Sequence, residues 1–223
     1  MNRLGVVGCG VMGAGIAEVG AKGGCAVVVV DFSEEILDRA RGRMAASLAK
    51  AETAGRLNEP ADAIMGRIAF TTDRAALADR EIVIEAIRET LDDKVALIGN
   101  LDGILSAEAI IATNTSSIPV AQIAAASAHP GRVLGLHFFN PVPVMPLVEV
   151  VACLVTDALV ADAAHQFCAD VLGKKVIRAA DRSGFVVNAI LVPYLLSAIR
   201  SLENHVATKE DIDTGMMAGC GMP

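Results

Sequence analysis

Tryptophan is absent from this 223-residue chain, tyrosine occurs once and phenylalanine six times. So few rings leave no stacking platform for single-stranded nucleic acid. Basic residues are the minority, 19 against 26 acids for a net charge of −7. The clustered cationic surface that a phosphate backbone requires is therefore not expected, and nucleic acid is excluded as a partner. The five cysteines (Cys9, Cys25, Cys153, Cys168, Cys220) are odd in number and scattered. They lack the pairing of a disulfide framework or a zinc site, so reduced thiols and no bound metal are expected. No apolar run reaches the ~20 residues of a membrane span, because the longest, 185–199, is broken by Asn188, Pro193 and Tyr194. The chain opens directly on an apolar segment with no charged leader. The expectation is a soluble cytoplasmic protein.

What the sequence does have is apolar material, 53% of residues against 20% charged. That is ample for a core, and the length allows one large domain plus part of another. Short β-branched runs at 4–7 and 26–30 read as strands buried on both faces. Further strands are expected at 68–71, 82–86, 110–113, 133–137, 147–152 and 175–178, and helices at 13–22, 34–54 and 157–172. The alternation predicts an α/β fold, a Rossmann-type doubly wound and mostly parallel sheet. Asp181-Arg182-Ser183-Gly184 reads as a junction, and beyond it the pattern is helical, with a capping-box start at Thr208. The organisation expected is a nucleotide-binding domain over 1–184 and the start of an all-helical domain over 185–223. The latter, about 40 residues, is too short to stand alone.

Gly8-Cys9-Gly10-Val11-Met12-Gly13 follows the first strand and opens a helix. The first glycine permits the turn, the second lets a pyrophosphate approach the backbone, and the third lets helix pack on strand. The helix N-terminus favours the anion. Asp31, 18 residues after Gly13 at the end of the second strand, stands where a ribose hydroxyl acceptor belongs. A carboxylate there repels a 2′-phosphate, so NAD is expected over NADP. The same glycines would also suit a turn that serves packing alone.

Polar residues gather where later strands end: Thr113-Asn114-Thr115-Ser116-Ser117, and His137-Phe138-Phe139-Asn140-Pro141. Glu149 is an acid inside an apolar strand, and a buried carboxylate needs a partner. The proline-rich turn at 138–146 would fold its strand back beside His137. Taken singly, His137 also fits a core histidine and Glu149 a carboxylate capping backbone.

Together with Gly8-Cys9-Gly10-Val11-Met12-Gly13-Ala14-Gly15-Ile16-Ala17, Val83-Ile84-Glu85-Ala86 and Gly184-Phe185-Val186-Val187-Asn188, these stretches make the chain resemble the L-3-hydroxyacyl-CoA dehydrogenase family almost end to end. The resemblance implies NAD-dependent, reversible oxidation of an (S)-3-hydroxyacyl-CoA, a short-chain one such as 3-hydroxybutyryl-CoA. It assigns His137 as general base, Glu149 as the acid orienting it, and Ser116 and Asn188 as substrate contacts. It assigns Ala86, Glu89, Lys94, Asn114 and Asn140 to NAD beside the glycine loop and Asp31. Ser47 and Lys50, on a helix whose segment 36–56 holds five basic residues and two acids, would contact CoA. Where relatives carry a second lysine this chain has Ala54, which puts tight CoA binding in doubt. The resemblance also implies a homodimer for full-length members and an incomplete helical domain here. Two other readings remain: a dehydrogenase of a free hydroxy acid, which the lack of any lysine between Lys175 and Lys209 disfavours, and an NAD-binding protein without turnover.

Overall fold

The computed structural model describes residues 1–222 and divides into two compact units, Met1–Ser183 and a second from Gly184 onward. In the first unit strands and helices alternate: β1 (Arg3–Val7), α1 (Val11–Lys22), β2 (Ala26–Val30), α2 (Glu34–Thr53), α3 (Ala61–Met65), β3 (Ile68–Thr71), β4 (Ile82–Glu85), α4 (Leu91–Asp102), β5 (Ile110–Thr113), α5 (Val120–Ala124), β6 (Val133–Phe138), β7 (Leu147–Ala152), α6 (Ala158–Gln166) and β8 (Lys175–Ala180). Among the described residues these strands form one eight-stranded sheet in the order β3-β2-β1-β4-β5-β6-β7-β8. Every neighbouring pair is parallel except β6 with β7. From β1 the chain winds outward to β3, then returns to β4 on the other side of β1. The reversal opens a crevice at the carboxyl ends of β1 and β4, the usual place for a ligand in such a sheet.

The strands form where β-branched and apolar residues run unbroken, and β4, β5 and β6 are buried at every position because helices cover both faces. The longest helix, α2, buries Leu37, Ala40, Met44, Leu48 and Ala51, a stripe at three- and four-residue spacing. Its first turn carries Glu34 and Glu35 and its last Lys50, both favourable to the helix dipole.

Local elements differ from expectation at several ends; α1, expected from residue 13, begins at Val11. The helix expected over 157–172 leaves α-helical geometry after Gln166 and finishes in a π turn, Phe167–Val171. The last strand extends to Ala180, since β7 offers partners along its whole length up to Ala152. The second unit holds α7 (Val187–Glu203), which contains Pro193, and α8 (Lys209–Cys220). Thr208 caps α8 by accepting the Asp211 amide at 3.1 Å.

Two glycines make the first turn possible. Gly8 has φ +89°, and a side chain there would meet the Ala86 carbonyl oxygen at 2.7 Å. A Cβ on Gly13 would stand 1.8 Å from the Gly8 carbonyl oxygen. Gly13→Ala must displace backbone, and its expected cost lies at or above the top of the ~1–3 kcal/mol typical of overpacking. Urea unfolding measures it, and an unchanged midpoint would contradict this packing role.

Candidate active site

The glycine-rich turn leads into α1, whose cap residue Gly10 brings no side chain to the first-turn N–H groups, and no acid lies in that turn. A Cβ on Gly10 would meet nothing of the protein within 4 Å, so the space above it is open to a ligand. Asp31 is held from two sides: its Oδ2 accepts the Cys9 amide at 2.7 Å and its Oδ1 the Phe32 amide at 2.8 Å. The remaining lone pairs are thereby oriented, and Asp31 lines a cleft of about 1140 Å³ together with Gly8, Gly10 and Ala86. Open first-turn amides, an oriented carboxylate and a cleft at the switch point fit a dinucleotide. Val11 and Met12 stand in the same first turn.

Sequence reasoning missed one support of this loop. Arg43, read above only as part of a basic helix face, reaches back from α2 and donates to the Cys9 carbonyl at 2.7 Å. Cys9 itself is buried, and burial followed by the nearby Asp31 charge pushes its thiol up to about 12. A thiol so held is no nucleophile at neutral pH.

Across the sheet, β6 and β7 are antiparallel with His137 directly opposite Glu149. Nδ1 of His137 lies 2.6 Å from Glu149 Oε2; the histidine is nearly buried and the carboxylate wholly so. The Phe139 ring packs 4.6 Å from the imidazole, centroid to centroid. The connecting turn carries a cis peptide between Asn140 and Pro141. It is tied by Lys174, whose Nζ donates to the Val142 carbonyl at 2.6 Å and the Met145 carbonyl at 2.8 Å. Burial, and then the charge of Lys22, holds the Lys174 ammonium below its ordinary value. Nothing in the sequence pattern singled Lys174 out, because its partners are backbone atoms some thirty residues away.

Between these two centres lies the loop after β5. Asn114 accepts the Phe138 amide at 3.0 Å, joining β5 to the His137 strand. Glu89 Oε1 accepts the Thr115 hydroxyl at 2.6 Å and the Ser116 amide at 2.8 Å. Burial works to raise the Glu89 carboxyl, but these bonds and the Lys94 charge outweigh it and hold the group below its usual value. Lys94 is fully buried, with Nζ on both Glu85 and Glu89. As it stands, its ammonium faces inward to two carboxylates.

Ser47 and Lys50 lie near the far end of α2, about 20 Å along the helix from its start to Ser47. Glu18 of α1 is buried beside Ser47; burial raises its carboxyl, the serine hydroxyl and Lys22 working the other way. Asn140 is exposed beside the turn, and Asn188 lies in the first turn of α7, in the second unit.

A mostly parallel nucleotide-binding sheet with an oriented histidine–carboxylate pair fits an NAD-dependent oxidoreductase. Residues 3–182 match the family model for the 3-hydroxyacyl-CoA dehydrogenase NAD binding domain, and residues 184–223 match its C-terminal domain. The chain belongs to the 3-hydroxyacyl-CoA dehydrogenase family. It is 50% identical over 225 residues to 3-hydroxybutyryl-CoA dehydrogenase of Mycobacterium tuberculosis, covering all of this chain and 79% of that protein. It is 42% identical over 230 residues to human mitochondrial hydroxyacyl-coenzyme A dehydrogenase, covering all of this chain and 73% of that one. The crystal structure of (S)-3-hydroxybutyryl-CoA dehydrogenase from Ralstonia eutropha superposes with a TM-score of 0.97 at 39% identity, over all of this chain and 79% of that one. Among the described residues no helix is long and apolar enough to cross a membrane.

Proposed function

We propose that this chain interconverts (S)-3-hydroxybutyryl-CoA, or another short-chain 3-hydroxyacyl-CoA, and the corresponding 3-oxoacyl-CoA. The observation that carries the reading is the 2.6 Å contact between His137 Nδ1 and a wholly buried Glu149. An ionised carboxylate is acceptor-only, so it keeps the proton on Nδ1 and leaves Nε2 as the basic nitrogen. His137 Nε2 takes the 3-hydroxyl proton as the bond to hydrogen at that carbon breaks, and Glu149 stabilises the imidazolium so formed. Bound NAD supplies the hydride acceptor. Gly8, Gly10, Val11, Met12 and Gly13 hold its pyrophosphate and Asp31 its adenosine ribose. Ala86, Glu89, Asn114 and Asn140 are assigned to the remainder, and Lys94, buried on Glu85 and Glu89, acts behind Glu89.

Ser116 and Asn188 are assigned to the substrate's oxygens, where a hydrogen bond orients the reacting carbon. Ser47 and Lys50 are assigned to CoA, supported by the basic balance of their helix. A cytoplasmic location is supported by five unpaired cysteines. Homodimer formation is supported by the exposed apolar side chains Ile190, Leu195 and Ile199 of α7.

The test is NAD reduction with (S)-3-hydroxybutyryl-CoA beside free 3-hydroxybutyrate. Reduction that requires the thioester supports the proposal; equal rates with the free acid would replace it with the hydroxy-acid reading. For the cofactor, Asp31→Ala is expected to weaken NADH roughly 10-fold relative to NADPH, the value of one lost hydrogen bond and a lost repulsion. An unchanged ratio of the two dissociation constants would remove Asp31 from cofactor selection.

A further inference from the structure

The chemistry above makes no use of Glu85. Its side chain, at the end of β4, is wholly buried and gathers three donors: Lys94 Nζ at 2.6 Å, the Thr113 hydroxyl at 2.6 Å and the Ile87 amide at 2.7 Å. Lys94 has a second partner, Glu89 Oε2 at 3.3 Å. Glu89 in turn gathers the loop after β5 through the amides of Ser116 at 2.8 Å and Ser117 at 3.3 Å. An ion pair this deeply buried contributes little net stability compared with apolar residues of the same volume, and removing one partner is costly unless the remaining charge keeps another, as Lys94 keeps Glu89 Oε2. Its geometry, however, connects two loops. On one side the Ile87 amide fixes the peptide against which Gly8 packs, and a Cβ on Gly8 would meet that peptide nitrogen at 2.9 Å. On the other side, Lys94 and Glu89 reach the loop that bears Ser116.

We propose that Glu85 is a positioning residue: through Lys94 and Glu89 it holds the 115–117 loop, and with it the Ser116 hydroxyl, in register with the glycine-rich turn. The catalytic consequence rests on the function proposed above; the ordering of the loop does not. The experiment is amide hydrogen exchange by NMR on the full chain without ligand, comparing wild type with Glu85→Gln, alongside turnover. Glu85→Gln keeps size and polarity but removes the charge that holds Lys94. The Ser116 and Ser117 amides are expected to exchange about 10-fold faster while those of Ile84 and Ala112, inside β4 and β5, keep their protection. Turnover is expected to fall about 10-fold, and that fall to vanish in a Ser116→Ala background, as coupled residues behave.

Unchanged exchange at Ser116 and Ser117 overturns the proposal. So does acceleration that spreads equally to Ile84 and Ala112, which is a plain loss of fold stability. Thr113→Val, which leaves both charges in place, guards against a Glu85 variant that fails to fold. It removes the hydroxyl's bond to the Glu85 carboxylate and the 3.3 Å bond that hydroxyl accepts from the Thr115 amide, so the same pattern is expected at about 10-fold, and uniform or absent acceleration there also counts against the proposal. Selective loop acceleration in a chain without turnover would sink the dehydrogenase reading and keep the positioning role. Turnover with a silent loop would do the reverse.

Discussion

His137→Ala is expected to lower turnover by ~10²–10⁴ while the dissociation constant for NADH stays within about twofold. His137 stands on β6, whereas the groups assigned to the pyrophosphate and ribose stand at the ends of β1 and β2. A proton acceptor is therefore lost without touching the nucleotide loop. NADH binding followed by fluorescence, beside steady-state rates with acetoacetyl-CoA, separates the two effects. A variant that keeps most of its turnover would remove His137 from the mechanism. Equal losses in turnover and in NADH affinity would show that the histidine serves the cofactor cleft instead.

Glu149→Gln is expected to have an effect of the same order, a loss of ~10²–10⁴ in kcat, because an amide in place of the carboxylate no longer fixes which ring nitrogen carries the proton. Glutamine has nearly the same shape, and its N–H can donate to Nδ1 at the 2.6 Å contact. The proton then moves to Nε2, the nitrogen that must accept. The imidazolium also loses its counter-charge, so the pH–rate profile for oxidation shifts to lower pH. Steady-state rates across the pH range measure both. An unchanged profile with full turnover would leave Glu149 as a structural carboxylate.

Much of this fold can be read in the chain because its signals are local. Gly8, Gly10 and Gly13 answer to steric demands within a few residues, and the run 26–30 ending in Asp31 carries the ribose acceptor on its own strand. The β6–β7 pairing was also legible, since an acid inside an apolar strand asks for a partner and three prolines supply the turn. Glu85 is the opposite case. It ends a strand, where an acid is unremarkable, and its burial follows from Lys94 and from Thr113, 28 residues away across the sheet. The family resemblance assigns Lys94 to the cofactor, yet the fold turns its ammonium toward two carboxylates. Arg43 and Lys174 were unreadable for a shared reason: both bond to backbone carbonyls, which leave no mark in side-chain patterns. The π turn after α6 is likewise invisible to a helical period that continues through it.

The central claim is direct transfer of the hydrogen on the substrate's hydroxyl-bearing carbon to NAD at a site where His137 holds the proton. It is tested most directly with (S)-3-hydroxybutyryl-CoA carrying deuterium at carbon 3, incubated with NAD and the chain, by reading the mass of the nicotinamide product. The expected result is reduced cofactor one deuterium heavier, formed from the CoA ester and lost in His137→Ala. Reduced cofactor without the label, or bound cofactor that stays oxidised beside intact thioester, would contradict it.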